Sequence, residues 1–264
     1  MADNITSWNS PYQTEKFSIG IKNAGFETAK AEDCDGNAIY YYGNNDNLIA
    51  WEVSSKIDLN TAKPPTNSKI YQFDGNITQY DIGNYSEDYF TIALEDRANR
   101  FNKRFMRNVN SIKNNETLIL EEASTFSDVD LALKKFIPYP ERRDGIDIDR
   151  YSRIIHSLAE VGIMQCFILR DLTTNSIHGA SMVLLSDSQA NLRWYSADRE
   201  KNYGHLLHYL VINRLFNECS KNIVDQSGIS SSVTSNNKMA GIDSFKNQTG
   251  GSLIRFKLIS DKEK

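Results

Sequence analysis

Apolar residues along this chain follow two periods, and the switches between them mark out its elements. Ala38 to Gly43 and Leu48 to Val53 are two β-like runs joined by the turn-forming GNND of Gly43 to Asp46, which predicts a hairpin. Thr61 to Ser68, with Pro64 and Pro65 adjacent, interrupts any regular element, and Lys69 to Phe73 follows as a short strand. From Ser86 to about Asn114 the period turns helical, with Ala98, Phe101, Phe105, Val109 and Ile112 in a stripe at steps of three and four. A strand over Thr117 to Glu122 and a helix from Ser127 to Phe136 come next. The proline-punctuated PYPERRDG then leads into an amphipathic helix, Asp147 to Val161, whose Tyr151, Ile154, Ile155, Leu158 and Val161 face inward. Ile163 to Arg170, Gly179 to Leu185 and Asn191 to Ala197 are three strands with short polar links, the pattern of an antiparallel meander. A helix over His205 to Lys221, a strand over Asn222 to Ile229 and a short helix precede the last strand, where Leu253, Arg255 and Lys257 alternate with Ile254, Phe256 and Leu258.

Composition narrows this picture. A chain of 264 residues, 40% hydrophobic and 11% aromatic, is a folded globular protein with room for one large domain or two small ones. A division near residue 84 is expected, with 1–84 as an N-terminal lobe or sheet extension and 85–264 as the main domain. The net charge of -4 gives no global attraction to nucleic acid or to an anionic membrane, so such a partner would need a local basic patch. Cys34, Cys166 and Cys219 are widely spaced and without a CxxC or Cys/His cluster, which predicts buried thiols, no disulfide framework and no metal site. The N-terminal MADNITSWNSPYQTEK lacks the charged start and apolar run of a signal peptide, and no window reaches the ~18 apolar residues of a membrane helix, so a cytoplasmic protein without a membrane span is expected.

Near the C-terminus, SFKNQTGGSLIRF sets a Phe-Lys pair, Phe245 and Lys246, ahead of a double glycine, Gly250 and Gly251, and an alternating strand. Upstream, WYSADREKNYGHLLHYLVINRLF passes from a strand through a polar turn into a helix, and RFNKRFMRNVNSIKNNETLILEEAS joins a basic helix to a strand. In these three stretches, spanning roughly Tyr85 to Leu258, the chain resembles the FemAB and BioF2-like branch of the Gcn5-related N-acetyltransferase (GNAT) superfamily. The resemblance implies an α/β (α+β) fold: a GNAT-like mixed, largely antiparallel sheet flanked by helices on both faces. Residues 1–84 are too few for a complete first lobe, so a truncated one is expected there.

Acyl transfer to an amine requires a clasp for the donor, a group facing the developing oxyanion and a route for the amine's proton. The resemblance places the clasp at the turn Ala197 to His205, where backbone N–H groups at a helix start would hold the pyrophosphate of an acyl-CoA, acetyl-CoA above all. Asp198, Arg199, Asn202, Tyr203, Gly204 and His205 are its candidates, although the turn lacks the Gln/Arg-x-x-Gly-x-Gly/Ala signature of typical acetyl-CoA users. Lys246 is the candidate cation beside the acyl group, the alternative being a surface lysine; in either case it is expected outside the core. Asp225, in an otherwise apolar run, would orient the acceptor or accept a proton, or else cap a strand end. Tyr195 is a candidate general acid. His205 and His208 share a helix face and suit either a proton relay or packing, whereas His156 and His178 stand alone.

Arg97, Arg100, Arg104 and Arg107 recur at steps of three, four and three, forming either a solvated basic face or a cradle for phosphate groups. With Phe245, three of these, Arg100, Arg104 and Arg107, are the candidate substrate contacts. The leading expectation is an N-acyltransferase moving an acyl group from acyl-CoA to an amine on a small-molecule, sugar-linked or nucleotide-sugar acceptor. The alternatives are FemAB-type aminoacyl transfer from aminoacyl-tRNA, which would make tRNA the one nucleic-acid partner, and a GNAT-shaped binding protein without catalysis.

Overall fold

The structure, a computed structural model, describes residues 5, 7–44, 47–77, 87–95, 101–123, 126–136, 148–229 and 237–260. Its centre is one eleven-stranded sheet. In chain order the elements are α1 (Glu15–Asn23), β1 (Glu27–Glu32), β2 (Ala38–Asn44), β3 (Asn47–Val53), β4 (Lys69–Asn76), β5 (Tyr89–Glu95), α2 (Lys103–Asn110) and β6 (Leu118–Ala123). They continue with α3 (Phe126–Phe136), α4 (Ile148–Glu160), β7 (Met164–Asp171), β8 (Ser176–Leu185), β9 (Gln189–Ala197), α5 (Tyr203–Asn217), β10 (Ile223–Gly228), α6 (Asn237–Asn247) and β11 (Ser252–Ser260).

The spatial order is β1-β2-β3-β4-β11-β5-β10-β9-β8-β7-β6, so the last strand is threaded between β4 and β5. Among the described residues, β3 with β4 and β9 with β10 are parallel and the other neighbours antiparallel. The hairpin of β2 and β3 and the meander of β7, β8 and β9 stand where the polar alternation places them. Each half of the sheet thus repeats one device, a meander whose third strand is followed by a parallel neighbour. In the second half the crossover from β9 to β10 is the helix α5; in the first, residues 54–68 cross from β3 to β4 with no helix.

Alternation along the strands separates two cores. Met164, Cys166 and Ile168 of β7 pack with Ala180, Met182 and Leu184 under α1, α3 and α4. Phe167 and Leu169 point the other way and meet Val183, Ala190 and Leu192 under α2 and α5. Local capping helps α1 and α2 start where they do: Thr14 accepts from Phe17 N at 3.2 Å and Asn102 from Phe105 N at 2.8 Å.

Three expectations need correction. The segment Ser86 to Asn114 is not one helix, because Tyr89–Glu95 is the central strand β5 and only Lys103–Asn110 is helical. Phe90, Thr91, Ile92, Ala93 and Leu94 are all buried, and a strand covered on both faces shows a continuous apolar run rather than a period of two. The polar N-terminal stretch contains α1 and β1, which the sequence pattern did not reveal. Of the cysteines, Cys166 is buried, but Cys34 is exposed in the turn between β1 and β2 and Cys219 is half-buried.

The double glycine before β11 has two separate physical reasons. Gly250 adopts φ 80°, a left-handed conformation that favours glycine, and a Cβ on Gly251 would lie 2.5 Å from Ala93 O and 2.7 Å from Ile92 Cγ2 of β5. Gly251→Ala should therefore force β11 away from β5 and destabilise the protein by about 1–3 kcal/mol. Urea denaturation of the variant checks this, and an unchanged midpoint would show that the strands are not packed this closely.

Candidate functional site

Lys246 lies in the last turn of α6, and its ammonium reaches under the end of β10. Nζ donates to Ser227 O at 3.0 Å and Gly228 O at 2.6 Å. Burial pulls its pKa down to about 8, opposed by the negative field of Asp225. The side chain is thus far more enclosed than expected for a lysine on a short helix. Phe245, its neighbour, sits among Phe105, Tyr195, His205 and His208, with ring centroids 5.1–6.1 Å away. Four elements, α2, β9, α5 and α6, meet at this ring.

The parallel pairing of β9 with β10 ends at Asn191 and Asp225, although both strands run on. Beyond that point β10 bulges: Ser227 takes φ 61°, and its Oγ reaches across to Leu192 O at 2.9 Å. Lys246 therefore stands where two parallel strands part at the start of a crossover helix, the kind of opening in which α/β proteins bind ligands.

Asp225 is completely buried and fully engaged. Its oxygens accept from Thr91 Oγ1, from Ser227 N at 2.8 Å and from Asn191 Nδ2. Glu52 of β3, also buried, accepts from Trp8 Nε1 at 3.1 Å and Ser10 Oγ at 2.7 Å through Oε2, while its Oε1 receives no N–H or hydroxyl donor. The Glu52 and Asp225 carboxyls lie close enough that the protonation of one bears on that of the other, so the two titrate as a linked pair. Burial and then the Asp225 charge raise Glu52 well above the usual carboxylate range; burial also raises Asp225, offset by its hydrogen bond from Thr91. Glu52 is held at φ 56° where the register of β3 slips, a conformation that costs a non-glycine residue about 1–3 kcal/mol.

The other candidates separate into those gathered here and those that are not. Tyr195 is at the site, its hydroxyl donating to Gly204 O. A Cβ on Gly204 would lie 3.0 Å from that hydroxyl, so its missing side chain makes room for Tyr195. His208 is buried, bonded through Nε2 to Gln226 Oε1 at 2.9 Å and held neutral, its pKa lowered to about 4 by burial. His205 is half-buried, and burial followed by the nearby Arg104 charge lowers its pKa. Arg104 therefore lies on the side of α2 facing the start of α5, exposed like Arg107; Arg97 and Arg100 fall outside the described residues. Asp198 pairs with His178 at 3.1 Å, Tyr203 stacks on the His178 ring at 4.0 Å, Asn202 donates to Ser111 Oγ at 3.2 Å and Arg199 is exposed. His156 lies away from the site, bonded to Asp130 at 2.9 Å. Lys201 and Asn202 both have positive φ, no side chain caps the first turn of α5, and a hollow of about 300 Å³ lined by Ser111, Asn115, Lys201 and Tyr203 opens beside it.

No protein-family model matches the sequence, and no curated protein matches it. Solved structures do. FemX is similar over 95% of this chain and 92% of its own, with a TM-score of 0.67 at 10% identity. The C-terminal domain of a putative lysylphosphatidylglycerol synthetase from Agrobacterium fabrum aligns over 92% and 87%, with a TM-score of 0.58 at 12% identity. L-PGS from Bacillus licheniformis aligns over 92% and 91%, with a TM-score of 0.52 at 9% identity. The fold is GNAT-like. No helix among the described residues of this GNAT-like chain is long and apolar enough to cross a membrane.

Sequence reasoning missed Glu52, Thr91 and Asn191 at the site. Glu52 within the otherwise apolar run of β3 was the available signal, being of the same kind as Asp225 in β10.

The raised Glu52 carboxyl makes stability depend on pH. Glu52 has a higher pKa folded than unfolded, so its contribution is complete below about pH 4.5 and is lost as pH rises through the raised value. Glu52→Gln keeps the size and cannot ionise. Its melting temperature should fall less than that of the wild type between pH 5 and pH 9, as followed by circular dichroism; parallel curves would show that folding does not raise the Glu52 pKa.

Proposed function

We propose that this protein transfers an acyl group to an amine, with Lys246 as the cation that faces the oxyanion. The observation that carries this reading is the half-buried Lys246, its ammonium fixed on two backbone carbonyls at the parting of β9 and β10. An ammonium has three donors, of which Ser227 O and Gly228 O take two, leaving one for an acyl carbonyl oxygen. When the amine attacks the carbonyl carbon, the negative charge that develops on that oxygen meets a fixed positive charge in a water-poor setting. Asp225 acts as a positioning residue: its lone pairs are committed, and its field keeps Lys246 charged despite burial.

The donor in this reading is an acyl-CoA, acetyl-CoA in the simplest case, lying from Lys246 toward the start of α5. The uncapped first turn, the hollow beside it and the cationic Lys201 and Arg104 suit its phosphates. The acceptor is an amine on a small-molecule or sugar-linked substrate. A second reading, aminoacyl transfer from aminoacyl-tRNA, draws on the similar fold named as a lysylphosphatidylglycerol synthetase and on the exposed Arg104 and Arg107.

Incubation with acetyl-CoA and a panel of amino acids, amino sugars and amino nucleotide sugars, followed by mass spectrometry of the products, tests the first reading; a charged tRNA in place of acetyl-CoA tests the second. In the productive assay Lys246→Met should lower turnover by roughly 10²-fold. Lys246→Arg should restore part of the rate, because a planar guanidinium places its charge differently. With a pKa of about 8, the wild-type lysine loses its charge above that pH, so turnover should fall there. A rate that stays level to pH 10, or a Lys246→Met enzyme as fast as wild type, would remove Lys246 from the mechanism.

A further inference from the structure

Strand β9 carries a cation that nothing described so far employs. Arg193 is the extra residue of a bulge: β8 and β9 pair at Met182 with Trp194 and at Val183 with Leu192, leaving Arg193 with no partner across the ladder. The bulge also switches the strand's faces, so that Leu192 packs beneath α5 while Trp194 packs on the side of α1 and α4. Bulges of this kind aim a side chain.

The guanidinium carbon lies 5.9 Å from the Tyr12 ring and 5.6 Å from the Trp194 ring. Tyr42 stands 6.4 Å from Tyr12, and Tyr151 6.3 Å from Trp194. Tyr12, Tyr42, Tyr89 and Tyr151 all lie close enough to feel the Arg193 charge. Among the described residues Arg193 forms no salt bridge and donates no hydrogen bond, although a guanidinium carries five donors. Its side chain is nevertheless open to water. Arg193 thus sets a cation beside aromatic rings and within reach of water, and its field reaches Lys246.

We propose that Arg193 is the anion-binding element of an acceptor subsite, and that the acceptor carries a carboxylate. This rests on the acyltransferase reading for the word acceptor, but the anion site itself does not depend on catalysis. The local charges argue for a single anionic group: Asp225 and Asp243 both act on Lys246, whereas no carboxylate pairs with Arg193 among the described residues. A carboxylate matches that single planar fork in charge and in bidentate geometry, whereas a phosphate dianion would call for a second cation. The aromatic walls suit the apolar stem of such a ligand.

Calorimetric titration with benzoate, benzamide and phenyl phosphate tests this on the full chain. Benzoate should bind wild type saturably and benzamide should not. Arg193→Met should weaken benzoate by about tenfold or more with an unchanged melting temperature, since Arg193 holds no other element, and Arg193→Lys should recover only part of the affinity. Lys246→Met should still bind benzoate, so that absent acyl transfer with benzoate binding intact would sink the catalytic reading alone. Phenyl phosphate binding more tightly than benzoate would overturn the carboxylate assignment in favour of a phosphate. No saturable benzoate binding, or equal binding by Arg193→Met, would overturn the subsite.

Discussion

Two buried carboxyls from opposite halves of one sheet, Glu52 and Asp225, titrate as a linked pair at its centre, and the geometry around them follows from that closeness. In the spatial order, β3 and β10 are separated by β4, β11 and β5. At ~4.8 Å per strand a flat sheet would hold them ~19 Å apart, so Glu52 meets Asp225 only because the sheet curls. The segment before α1 ties the curl together. Gln13 donates to Tyr40 O and Trp51 O on β2 and β3, Tyr12 donates to Asn191 on β9, and Asn9 N donates to Gln189. A buried polar cluster of this kind is stable only when its members are satisfied, which makes it a sensitive lock on the relative placement of the two halves.

The repeated device of a meander and a parallel neighbour gives the halves different work. In the second, α5 covers the crossover and the strands part to leave room at Lys246. In the first, the crossover has no helix, and β3 contributes Glu52 to the buried pair and Trp51 to an aromatic cluster with Tyr71 and Tyr89. Bulges near both parallel pairs supply the departures from regularity: Glu52 in β3, Arg193 in β9 and Ser227 in β10. Each moves a polar group to where an even pleat would not present it.

The electrostatic order of the site follows from burial. Desolvation alone would discharge Lys246, and the ionised member of the carboxyl pair opposes this. Were both carboxyls ionised, they would repel each other in a low-dielectric interior, and burial holds Glu52 toward its neutral form; the charges of Asp225 and Asp243 supply the counter-field of Lys246. His208 stays neutral for the same reason of burial and serves packing around Phe245.

By itself the sequence determined the meander, α3, α4 and α5, and it offered Phe245, Lys246 and Asp225 as candidates, because period, turn chemistry and a polar residue in an apolar run are local signals. It misassigned Tyr89–Glu95, whose burial on both faces erases the alternation that marks a strand. Only the tertiary structure decided that Lys246 is held against Ser227 and Gly228, that Asp225 is engaged rather than free, and that Glu52 from 173 residues away in the chain titrates with it. Arg193 shows the same division: in sequence it is one arginine in an alternating strand, and a one-residue slip against β8 turns it into a bulged cation beside aromatic rings. Such placements arise from strand order, register and curl, which bring distant residues together by long-range pairing and leave no period in the sequence to read.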